Sequence, residues 1–166
     1  LNPDVVKYFR TIAVIRCSYS SVMQARNWLP DEIGGVTYFS YDNPAQSPRI
    51  PIYAGIDQIH PAFQICGQHE YRPDAAVWAY RETNRISTID WDKTREILET
   101  EIMALEEKMF KTGAMVEAEA AALIAAGEDK KAEELITRHT NDFASLTMQR
   151  WQELKEKLWM IFVRSM

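Results

Sequence analysis

The chain has 166 residues, 46% of them apolar and 11% aromatic, enough to bury one core and too few for two ordinary ones. Its net charge of -5 and pI near 5.3 exclude a polyanion as the natural partner, because neutralising phosphates requires a basic face. No run approaches the roughly eighteen apolar residues of a membrane-spanning helix, so neither nucleic acid nor a membrane is expected as a partner.

In chain order, Asn2 and Pro3 can open a short helix over Pro3 to Phe9, with Pro at the first helical position. Thr11 to Tyr19 (TIAVIRCSY) is β-branched and apolar on both faces at first, and predicts a strand buried between layers. A second strand over Ser21 to Trp28 alternates less cleanly and stops at Pro30. Gly34-Gly35 predicts a turn, and Val36 to Tyr41 (VTYFSY) carries the strongest strand pattern of the chain. Arg49 to Ala54 follows as a final strand, confined to a sheet edge by Pro51, which has no N–H to give a ladder. These four pieces predict an antiparallel meander.

Between Gly55 and Pro73 the periodicity fades, which predicts a long surface excursion with one short helix at Ala62 to Cys66. A helix follows over Ala75 to Asn84. Another begins near Trp91, capped by Thr88 or Asp90, with Leu98, Ile102, Leu105, Met109, Val116, Ala120 and Leu123 at spacings of three and four. Gly127 supplies its left-handed stop, and Glu128 to Met166 forms an equally long helix burying Leu135, Ile136, Phe143, Leu146, Trp151, Leu154, Leu158 and Ile161. So tight a turn between two long helices makes them antiparallel. The expected division is strands and loops in residues 1–73 and helices in 74–166, together one unit.

Cationic residues before Asp90 are Arg except for Lys7, whereas the later part mixes Lys with Glu. Arg suits fixed, partly buried pairs, and Lys suits wet faces. Cys17 and Cys66 form no CxxC pair and are expected to be free and buried. Two sharper readings stand beside that one: Cys17 with His60 or His69 as a nucleophile and base, and Cys66 with His69 as half of a metal site. The first suffers because strand neighbours such as Arg16 and Cys17 point apart, and the second lacks a further ligand pair. No metal and no cofactor are expected.

The string from Gln24 to Gly55, QARNWLPDEIGGVTYFSYDNPAQSPRIPIYAG, is more specific than packing demands. With Arg10-Thr11-Ile12, Gln24-Ala25-Arg26, Trp28-Leu29-Pro30 and Gly34-Gly35 as anchors over Thr11 to Asn84, it resembles the carboxy-terminal half of the cysteine-nucleophile dipeptidases of the dipeptidase A type. That family belongs to the N-terminal-nucleophile hydrolases, beside penicillin V acylases and bile salt hydrolases. The resemblance implies an α+β fold in which an antiparallel sheet and a long antiparallel helical hairpin form part of a four-layer αββα arrangement. It also implies hydrolysis of dipeptides by an amino-terminal cysteine whose own α-amine acts as base. Leu1 carries no nucleophile, so that cysteine and the early strands are expected upstream, and the chain by itself is expected to be inactive.

Arg10, Arg16, Gln24 and Arg26 are the candidate substrate-binding residues that the resemblance implies, because an Arg fork can grip a peptide carboxylate; for the arginines, pairing with Asp or Glu inside the sheet region is the structural alternative. Asp42 to Arg49 is read first as a turn-setting loop. The missing amino-terminal half and a second copy of the chain are the expected partners, since an isolated half leaves strand edges open. The compartment follows from the upstream segment: periplasmic or extracellular with a signal peptide, cytoplasmic without one. The competing reading is a non-catalytic module in which the helical hairpin from Trp91 to Met166 mediates assembly.

Overall fold

A computed structural model describes residues 12–164. Its strands are β1 (Tyr19–Ala25), β2 (Gly35–Tyr41) and β3 (Ile50–Tyr53), and its helices are α1 (Asp31–Gly34), α2 (Pro61–Gln64), α3 (Ala76–Ser87), α4 (Trp91–Ala125) and α5 (Asp129–Arg164). The class is α+β, an antiparallel sheet packed on long helices.

The sheet runs β1-β2-β3, with Val22 opposite Tyr38 in one pairing and Val36 opposite Tyr53 in the other. Because side chains alternate with period two, Tyr19, Phe39 and Tyr41 share one face and Val22, Gln24, Tyr38 and Tyr53 the other. The first face carries an aromatic stack in which Tyr19 lies 5.7 Å from Phe39, and Tyr41 lies 5.3 Å from Phe63 of α2. The second meets α4, where Tyr38 packs 5.5 Å from Phe110. Pro51 sits in β3 at the sheet edge, as its missing N–H requires.

Two of the expectations change, one a strand and the other the burial of the cysteines. Residues 12–18 form bends and turns, and Ile12 is 96% exposed, so the apolar run predicted as a strand starts the sheet only at Tyr19. β-branched residues favour a strand only where a neighbour completes the ladder, and among the described residues none pairs with 12–18. The meander therefore has three strands. The cysteines are free, but Cys17 is only partly buried and Cys66 is exposed on the excursion between α2 and α3. The helix predicted at Pro3 to Phe9 lies outside the described residues.

Asp90 caps α4 by accepting from the Lys93 amide at 3.4 Å. At the other end the Gly127 amide bonds the Ile124 carbonyl and the Glu128 amide bonds the Leu123 carbonyl, both at 2.9 Å, with Gly127 at φ +75°. This paired closure needs a left-handed residue, and it turns the chain straight into α5. Leu98, Leu105 and Met109 of α4 then bury against Phe143, Trp151 and Leu158 of α5, together with Tyr80 and Ile50. A second core joins Ile33, Val36 and Tyr53 to Ala120, Ala132 and Ile136. Among the described residues no helix is long and apolar enough to cross a membrane.

A buried polar network locks α3 between the β2–β3 loop and α5. Trp151 Nε1 donates to Asn84 Oδ1 at 3.1 Å, while Asn84 Nδ2 donates to Ser47 Oγ at 2.7 Å and to Asp42 Oδ2 at 3.0 Å. Gln46 Nε2 bonds Ser87 Oγ at 2.9 Å, and Thr83 Oγ1 donates to the Trp151 carbonyl at 2.7 Å. Asp42 takes φ +59°, which Asp tolerates better than most residues, and Asn43 Oδ1 accepts from the Ala45 amide two residues on. The loop read as turn-setting thus serves the fold through its own side chains.

Candidate functional site

β1 ends at Ala25, and the next residue turns its side chain back under the α1 turn. Arg26 Nη2 donates to the Ile33 carbonyl at 2.6 Å, and Nη1 donates to Glu117 Oε2 of α4 at 2.8 Å. The guanidinium side chain is 10% exposed and the carboxylate side chain 18%. From β3, the Tyr53 hydroxyl donates to the other carboxylate oxygen, Glu117 Oε1, at 3.0 Å. Glu117 therefore gathers a donor from each side of the sheet, and the three side chains hold one another in place.

The fit depends on Gly113, one turn before Glu117. A Cβ at that position would stand 3.2 Å from the Tyr53 hydroxyl, closer than ordinary van der Waals contact. Gly inside a helix costs roughly 1 kcal/mol relative to Ala, so its presence at a buried position marks a close approach that the site needs. Burial pushes the Tyr53 hydroxyl far above its usual range, and the Glu117 charge adds to this, so the phenol stays protonated and donating. Burial likewise raises Tyr38, with nearby Arg26 opposing and Glu117 reinforcing the shift.

This cluster floors a cavity of about 300 Å³, walled by Tyr38, Pro51, Met109, Phe110 and Ala114, with Gln24 at its mouth. An adjoining hollow of about 430 Å³ shares Gln24, Tyr38, Met109 and Phe110 and runs on to Arg49 and Glu106, themselves paired at 2.7 Å. Together they form a trough along α4 from Glu106 to Glu117, about 16 Å at the helical rise. Its ends are ion pairs and its middle is aromatic. Behind it stands His139 of α5, its ring 6.3 Å from that of Tyr53; burial lowers its pKa, against opposing pulls from Asp142 and Glu117.

A second polar centre surrounds Asp42, which is fully buried. Arg81 Nε donates to it at 3.2 Å, and Arg85 lies 3.6 Å away. Arg81 also lies over the Trp78 ring at 5.6 Å and borders a smaller cavity of about 210 Å³ beside Tyr41 and Cys66. Most of its polar contacts are internal to the fold.

Of the residues proposed from sequence, Gln24 and Arg26 come together at the trough. Arg16 is exposed in a turn before β1, and Arg10 lies outside the described residues. Arg26 takes the paired role that its residue type suggests, but its partner comes from α4 instead of the sheet region. Cys66 and His69 are both exposed, and among the described residues no cluster of three or more His, Cys, Asp or Glu side chains could hold a metal ion. Sequence reasoning missed Tyr53, Gly113 and Glu117. Gly113 was the available signal, a glycine inside an otherwise uninterrupted helical repeat.

The sequence model of Peptidase family C69 matches residues 3–103, and the chain belongs to that family. A relative described as "Probable dipeptidase B", from Lactococcus lactis subsp. lactis (strain IL1403), is 28% identical over 91 residues. The matched stretch is 55% of this chain and 19% of that relative, so the chain spans about a fifth of its length.

Proposed function

We propose that the chain is the carboxy-terminal portion of a dipeptidase that cleaves linear peptide bonds with an amino-terminal cysteine carried on a preceding portion of the polypeptide. The observation carrying this reading is the C69 family match, joined to a dipeptidase relative of which the matched stretch is 19%. In the complete enzyme the cysteine thiolate attacks the peptide carbonyl carbon, backbone donors stabilise the oxyanion, and the amine product leaves protonated. Water then hydrolyses the acyl-thioester, releasing the second amino acid and restoring the thiol. The cysteine's own α-amine serves as base, and Arg10, Arg16, Gln24 and Arg26 belong to the wall of the cleft.

In this reading β1–β3 are part of one sheet of a four-layer αββα fold, and α4 and α5 are helical cover. The exposure of β1 supports a companion: Met23 is 77% exposed and Val22 53%, and among the described residues nothing pairs with its outer edge. The preceding portion of the enzyme is that companion, and in its absence a second copy of the chain takes its place. Light scattering at micromolar concentration is expected to show dimers or larger species for the chain alone, and a monomer would remove the self-association.

The decisive experiment assays a dipeptide panel with the 166-residue chain, with the longer polypeptide, and with that polypeptide after its terminal cysteine is changed to serine. Turnover is expected only in the second. A longer polypeptide inert on all dipeptides overturns the activity, and turnover by the chain alone would assign the chemistry to Cys17 or Cys66 instead.

A further inference from the structure

We propose that the trough between β1–β2 and α4 is a binding site for an uncharged peptide unit bearing a branched or aromatic apolar side chain, supplied by a free short peptide. The choice of a peptide rests on the peptidase reading above; the polarity and shape of the ligand follow from the trough itself. Both Arg26 Nη groups and both Glu117 oxygens are taken up by each other, by the Ile33 carbonyl and by the Tyr53 hydroxyl, while Arg26 Nε is buried with no partner among the described residues. Arg49 and Glu106 are likewise paired at the far end. A ligand with net charge would have to break one of these pairs and leave a partly buried partner uncompensated, which is unfavourable. A neutral amide meets no such obstacle.

Positive recognition comes from the groups still open to a ligand. Gln24 is exposed at the mouth and offers both an amide donor and an amide acceptor, the complement of a peptide unit. The Tyr38 hydroxyl stays protonated beside it and offers one more donor. The Phe110 ring, 57% exposed, and Met109 line the same space and suit an apolar side chain. Cavities of about 300 and 430 Å³ match the usual lower range for small-ligand sites, roughly 300–1,000 Å³. Gly113 completes the case: the helix accepts its cost at the one place where a Cβ would press on the hydroxyl that fixes the floor.

The test is titration of the 166-residue chain with N-acetyl-leucinamide and N-acetyl-phenylalaninamide, followed by amide NMR. Saturable shifts are expected at Gln24, Gly113 and Ala114 while Gly127 stays still, with a roughly millimolar dissociation constant, as suits about a dozen heavy atoms. Ala114→Trp, at an exposed rim position, is expected to fill the trough and abolish binding. Phe110→Ala is expected to weaken it about tenfold. Both substituted residues are exposed, so folding is retained and is checked by the unchanged spectrum elsewhere.

Shifts that never saturate, or that survive Ala114→Trp unaltered, overturn the proposal. So does loss of probe binding in the longer polypeptide accompanied by slowed amide exchange along the trough, because the occupant is then a segment of that polypeptide. Dipeptide turnover is measured separately. A longer polypeptide that binds the probes without hydrolysing dipeptides sinks the proposed function and leaves the site standing, and the reverse outcome sinks the site alone.

Discussion

Two polar clusters join the sheet to the helices, and they differ in what they leave open. Around Asn84, the side chains of Asp42, Ser47 and Trp151 bond inward, and all four residues are buried. Around Glu117, Arg26 and Tyr53 are just as firmly held, with Gly113 giving the Tyr53 hydroxyl room beside the helix, yet their common surface opens on a cavity. The first arrangement is what fold specification requires. The second keeps polar groups next to empty space, which a core would fill and a binding site would keep.

The contrast can be broken most forcefully at the closed cluster. Asn84→Ala strands the Trp151 indole N–H and removes a donor from Asp42 and from Ser47, so a stability loss of about 3 kcal/mol is expected in urea unfolding. A loss under about 1 kcal/mol would mean that water or a neighbour replaces those bonds and that the cluster is not a lock.

Glu117→Gln should cost less, about 2 kcal/mol, because the pair with Arg26 borders a cavity that lets water approach the bereaved guanidinium. Measured in the same urea series, an effect as large as that of Asn84→Ala would make the two clusters equivalent and weaken the distinction.

The smallest effect is expected from acid. His139 packs beside Tyr53 with its Nε2 buried and, among the described residues, without a hydrogen-bond partner. Burial lowers its pKa in the folded state, while the unfolded chain titrates near about 6.5. Between the lowered value and about 6.5 the unfolded state binds more protons, so this contribution is whole above that pH and declines as pH falls through the window. Melting temperatures of wild type and His139→Gln from pH 8 to 5 should diverge below about pH 6.5, with the wild type falling faster. Parallel curves would show that the histidine is solvated as well in the fold as outside it.

Much of the fold was legible because it rests on local signals. The seam from Leu98 to Leu123 gave α4, Gly127 gave its end, and the VTYFSY run gave β2. The strand predicted at Thr11 failed for a non-local reason: its apolar residues have no neighbouring strand among those described, and propensity does not supply one. The site was half legible. Gln24 and Arg26 stand in a distinctive string, but Glu117 lies 91 residues beyond Arg26 on a helix whose carboxylates look like a wet face. Nothing in the spacing distinguishes Glu117 from its exposed neighbour Glu119; only the folded register turns one inward.

The turn between the long helices has a stereochemical corollary. Gly127 holds a backbone angle proper to the mirror-image amino acids, and the space where a side chain would project is empty. A D-alanine introduced there by chemical ligation would sit in its own preferred geometry while narrowing the choices of the unfolded chain, a gain of about 0.4–1 kcal/mol. At that single link the helical hairpin is better served by the opposite chirality than by any encoded side chain.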